Sequence, residues 1–103
     1  MFDPLYNIFT KIINKYLPDE YKGSQSIVLL TELRKVAYAV IRGNTTIEEA
    51  KDYLKDFFDT FFGDDLDEDI KNKLIDEVIK AIRVENTRIK FYIPRRGFST
   101  SPI

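Results

Sequence analysis

The chain has no cysteine, no histidine and no tryptophan among its 103 residues, and only one methionine. Without thiols and imidazoles there are no disulfides, no thiolate nucleophile, no neutral-pH proton shuttle and none of the usual ligands for zinc or haem. Any catalysis would fall to carboxylates, lysine, tyrosine or hydroxyls. Glycine and proline are also scarce, four of each, which leaves long stretches free to form regular structure. No apolar run approaches the roughly 18 residues that signal a membrane span. The opening "MFDPLYNIF" lacks a basic region followed by an apolar stretch, so the expectation is a cytoplasmic protein with no membrane role. The shortage of thermolabile residues beside abundant Ile, Lys and Glu would suit a thermophile, as would an AT-rich genome.

What is present is the composition of one folded domain, 44% apolar and 32% charged. The net charge of −1 hides a segregation along the chain. Residues 43–70 hold two lysines against ten acids, whereas residues 71–103 hold eight basic residues against three acids. Such a split bears on partners rather than on fold.

Four amphipathic helices are expected, at about 3–17, 24–42, 45–62 and 65–84. Asp3 before Pro4 reads as an N-cap with proline in the first turn, and Leu5, Ile8, Phe9, Ile12, Ile13, Tyr16 and Leu17 then form one apolar face. The second pattern, from Ile27 to Ile41, is apolar around most of its circumference, which makes it the expected centre of the bundle. Ser24 or Ser26 is its expected cap and Gly43 its terminator. Thr45 with Glu48 reads as the capping box of a third helix, whose Phe57, Phe58, Phe61 and Phe62 are expected mainly in the core, with Phe62 the exception at the stripe's edge. Asp65 with Glu68 reads as a second such box opening the fourth helix. Short connections favour antiparallel neighbours.

At Glu85 the pattern changes. Thr87, Ile89, Phe91 and Ile93 alternate with Arg88, Lys90 and Tyr92, the period of a strand, and Pro94 closes the run. The expected fold is therefore mainly α: a single four-helix, bundle-like domain over residues 1–85, followed over 86–103 by a short strand (87–93) or extended arm and a flexible basic tail. A lone strand needs a pairing partner, which could be its copy in a second subunit, a segment such as residues 18–23 or another protein; a homo-oligomer is the expectation.

Three constellations invite functional readings. The acids Asp64, Asp65, Asp67, Glu68 and Asp69 do not follow the calcium-loop pattern and suit a solvated helix start. Glu48, Glu49 and Asp52 with Asp76 and Glu77 resemble in part the helical nucleotide pyrophosphohydrolases, which hold Mg²⁺ between carboxylates on facing helices; that resemblance implies a magnesium-dependent enzyme acting on nucleotides, although Lys80 stands where the family motif wants an acid. The turn "RGNTT" is compatible with a helix-turn-helix, but the following helix is too acidic to approach phosphates. The favoured site is the basic, aromatic C-terminal stretch, where Arg88, Lys90 and Tyr92 on one strand face, with Arg95 and Arg96 beyond, suit nucleic-acid or partner binding. The sequence thus points to a small non-enzymatic binding or assembly protein, dimeric and contacting nucleic acid, with no cofactor and no metal; the alternative is a protein-interaction module using its acidic third helix.

Overall fold

The computed structural model describes residues 3–100, with side chains through Ile89. It contains four helices: α1 (Pro4–Tyr16), α2 (Ser24–Ile41), α3 (Ile47–Phe62) and α4 (Glu68–Thr100), with single 3-10 turns at Asp19–Tyr21 and Gly63–Asp65. Each helix has a local cause. The Asp3 carboxylate accepts the Leu5 N–H at 3.1 Å and Pro4 fills the first turn. α2 starts at Gly23 without a side-chain cap; Ser26 Oγ donates back to the Gly23 carbonyl instead. The capping box of α3 is Thr46 with Glu49, one residue beyond the pair expected from sequence, and Thr45 adds its hydroxyl to the Glu49 carboxylate at 2.9 Å. Gly43 and Gly63, at φ +83° and +55°, end α2 and α3 in backbone regions that side chains disfavour. Asp65 does not cap α4; it lies in the preceding turn and accepts the Tyr21 hydroxyl at 2.6 Å.

The helices alternate up and down. Lys15 meets Glu77 while Ile8 and Lys11 lie beside Ala81 and Val84, so α1 and α4 are antiparallel. Tyr21 stacks obliquely on Phe61 and Phe62, and Tyr53 bonds Glu32, so α2 and α3 are antiparallel too. α2 and α4 each touch every other helix, whereas α1 and α3 sit at opposite corners and do not touch. α2 therefore shares the centre with α4 rather than holding it alone. The physical sign is Ile27 and Val28, which its apolar pattern would bury but which stand 66% and 55% exposed.

The core joins Leu5 and Phe9 of α1, Leu29 and Leu33 of α2, Leu54 and Phe58 of α3, and Leu74, Val78 and Ile82 of α4, all fully buried. Burying such side chains stabilises the fold by about 1.5–3 kcal/mol each before entropy is charged against it. Phe62, expected as the exposed member of the aromatic stripe, is 2% exposed; Phe57 and Phe61 are the half-buried pair. Among the described residues no helix is long and apolar enough to cross a membrane.

The strand expected at 87–93 is replaced by helix, because α4 continues through it. The core-facing series Ile75, Val78, Ile79, Ile82 runs on at helical spacing through Glu85, Asn86 and Ile89. Two polar residues on the buried side make that face look interrupted in sequence. A helix also satisfies its own backbone, so the missing strand partner is no longer needed. Glu85 is 5% exposed, and its carboxylate accepts two bonds from the Arg88 guanidinium one turn on.

Candidate functional site

Between α1 and α4 runs a groove, an open cleft of about 640 Å³. Its floor is apolar: Ile8 and Ile12 from α1, Ala81 and Val84 from α4. Val84 is 59% exposed, unusual for a β-branched aliphatic beside other apolar groups. Lys11 and Lys15, one turn apart on α1, rim one side, and Lys80 on α4 rims the other. Helical spacing places these side chains together: positions 8, 11, 12 and 15 share a stripe of α1, and 77, 80, 81 and 84 share a stripe of α4.

One acid enters this groove. Glu77 accepts from Lys15 Nζ at 2.9 Å and from the Tyr16 hydroxyl. Those two hydrogen bonds hold its carboxyl below the ordinary range, and they raise the Tyr16 phenol and the Lys15 ammonium in turn. Lys11 and Lys80 form no ion pair among the described residues. The groove therefore carries an apolar floor, the Lys15–Glu77 pair, and two lysines outside any ion pair, of which Lys80 lies near enough to Glu77 to help hold its carboxyl low.

The opposite corner has the reverse character. On α3, Glu49, Asp52, Tyr53 and Asp56 are all exposed and fall at the spacing of one helical stripe. Behind Tyr53 the rings of Phe57 and Phe61 continue a stacked ladder, at 6.3 Å and 9° for Tyr53–Phe57 and 5.3 Å and 20° for Phe57–Phe61. A smaller cleft of about 280 Å³ between α2 and α3 is lined by Glu32, Lys35, Glu49 and Tyr53, among others. α1, which carries Lys11 and Lys15, and α3, which carries this acidic stripe, sit at opposite corners.

Of the residues singled out in the sequence, Arg88 is held against Glu85, one turn before it on α4. The side chains of Lys90, Tyr92, Arg95 and Arg96 lie outside the described residues. Of the acids that invite the magnesium comparison, Glu77 turns to α1, away from Glu48, Glu49 and Asp52 on α3, and among the described residues no group of three acids is placed to hold a metal ion. Asp59 is held by the buried Lys71 at 3.3 Å.

Sequence reasoning missed Lys11, Lys15 and Val84. The i, i+4 lysines beside Ile8 and Ile12 were a visible signal, but the pairing of α1 with α4, which makes a groove of them, is tertiary. No protein-family model matches this chain, and no curated protein or solved structure shows significant similarity to it.

Proposed function

We propose that this is a non-enzymatic binding and assembly protein of the cytoplasm, whose α1/α4 groove takes an acidic amphipathic helix of a protein partner. The observation that carries the reading is the combination of exposed Val84 and an apolar floor with lysines on both rims. A helix laid in a groove uses both features, burying its apolar face on Ile8, Ala81 and Val84 and setting acids against Lys11 and Lys80. A phosphate backbone would use only the cations, and would meet Glu77 in the same space. Supporting this, the lysines add steering and salt sensitivity, while the floor supplies affinity that salt does not remove.

The test is fluorescence anisotropy with a labelled Leu/Glu amphipathic peptide, using oligoglutamate of equal length as control. The expected result is binding of the amphipathic peptide at least tenfold tighter than the control, lost in Val84→Glu. Equal binding of both peptides would mean that the groove is only a charged surface.

A second reading, contact with nucleic acid, is favoured by the cation excess of residues 71–103. Its surface would begin at Arg88, where the groove ends, and continue through Lys90, Tyr92, Arg95 and Arg96. Binding of a DNA or RNA 20-mer that weakens steeply with salt, and loses about two from the log–log slope in Arg95→Ala/Arg96→Ala, would support it. A slope unchanged by that variant would remove it.

A further inference from the structure

We infer that the partner in the groove is a second copy of this chain, seated through the acidic ridge of its α3, so that the protein assembles head to tail. The inference rests on the groove reading above and names its occupant.

The ridge has the chemistry the groove asks for. Glu49, Asp52 and Asp56 line one exposed stripe of α3 with Tyr53 among them, 46% exposed. Asp52 and Asp56 form no ion pair among the described residues, while the Glu49 carboxylate is held by Thr45 and the Thr46 backbone. Their stripe spans about 10 Å along the helix and the Lys11–Lys15 rim about 6 Å, at 1.5 Å per residue. With Lys15 paired to Glu77, Lys11 and Lys80 are the cations that meet the ridge, and the half-exposed Tyr53 ring supplies an aromatic group for Val84 and Ile8.

Geometry makes the contact intermolecular. α1 and α3 occupy opposite corners without touching, so a molecule cannot place its own ridge in its own groove. Like-to-like pairing is disfavoured by charge, since two grooves would oppose lysines and two ridges would oppose acids. Groove to ridge is the complementary arrangement. It uses two different patches per copy, so each added molecule leaves one of each free, and the assembly extends as an open chain or closes into a ring.

The test uses the full chain and two charge-reversed variants altered only at exposed positions, Lys11→Glu/Lys80→Glu in the groove and Asp52→Lys/Asp56→Lys on the ridge, with circular dichroism to confirm that both remain helical. Sedimentation equilibrium of the native chain should show a mass that rises with concentration beyond a dimer in low salt and falls toward the monomer as salt is raised. Each variant alone should be monomeric. An equimolar mixture retains one intact groove and one intact ridge, and its reversed groove and reversed ridge are again opposite in charge, so it should assemble once more, to the heterodimer and beyond. A native chain that stays monomeric in low salt, variants that assemble as the native chain does, or a mixture without the heterodimer would each overturn the inference. The peptide experiment separates the two levels: a groove that binds the amphipathic peptide in a chain that does not self-associate leaves the groove reading standing and removes only this occupant.

Discussion

The Tyr38 hydroxyl on α2 donates to the Asp3 carboxylate at 2.8 Å, and that same carboxylate caps α1 and accepts Arg34 Nε at 2.9 Å. One side chain thus closes a helix end and ties it to its neighbour. Burial raises the Asp3 pKa, but the hydrogen bonds from Tyr38 and Arg34 and the guanidinium charge outweigh it, leaving the carboxyl below its ordinary 3.8. A lowered folded-state pKa means that the stability it contributes is present above the unfolded value and lost as pH falls through the folded one. Melting temperature should therefore drop on acidification below about pH 4, with Glu49 and Glu77, also lowered, adding to the slope. Asp3→Ala removes the cap and two interhelical partners and should cost about 2 kcal/mol by urea titration; Tyr38→Phe should cost about 1 kcal/mol and flatten the acid slope.

Among the described residues, four tyrosines donate to a carboxylate on another element: Tyr16 to Glu77, Tyr21 to Asp65, Tyr38 to Asp3 and Tyr53 to Glu32. All four phenols are raised above their ordinary 10.0: for Tyr16, Tyr21 and Tyr53 chiefly by the carboxylate bond, and for Tyr38 chiefly by burial. Raised values stabilise the fold below the unfolded pKa, and that stability is lost as pH rises through the folded ones. With no histidine or cysteine in the chain, thermal stability should be nearly flat from about pH 6 to 9 and collapse above about pH 10. Absorbance at the phenolate band, followed with circular dichroism, checks this. Phenolate appearing at the free-tyrosine pKa with the helices intact would contradict it.

The four phenylalanines of α3 should separate by side. Phe58 is fully buried, so Phe58→Ala should cost about 3–5 kcal/mol in urea unfolding. Phe57 is half-buried in the Tyr53 ladder, and Phe57→Ala should cost about half as much. Equal losses at the two positions would contradict the placement of the ladder at the surface.

Continuation of α4 through the expected strand gives a direct spectroscopic prediction. Cα chemical shifts of residues 85–89 should be displaced toward helical values. Arg88→Ala, which takes from the buried Glu85 carboxylate its one-turn partner, should destabilise by about 1–2 kcal/mol. Strand-like shifts across this stretch would restore the pairing question.

The helices were readable because their apolar positions recur at three and four residues and because Asp3, Gly43 and Gly63 mark ends by chemistry that acts locally. The α3 cap fell one residue away because adjacent threonines, each followed three residues on by a glutamate, offer the same pattern twice. Asp65 looked like a cap, yet Tyr21, 44 positions earlier, claims it; no local pattern reveals that. The strand was inferred where Glu85 and Asn86 occupy the core side of α4, since polar residues on a buried face erase the helical period. The groove was barely legible: Lys80 drew notice as a base where an acid motif wanted a carboxylate, and Lys11 and Val84 gain meaning only when α1 lies antiparallel to α4.

The groove between α1 and α4 is proposed as a helix-binding surface. Anisotropy of the labelled amphipathic acidic peptide, titrated with the native chain, Lys11→Glu/Lys80→Glu and Val84→Glu, measures it. The prediction is saturable binding by the native chain, weakened at least tenfold by either change, with salt reducing affinity without abolishing it. Unaltered affinity in both variants would place the binding surface elsewhere.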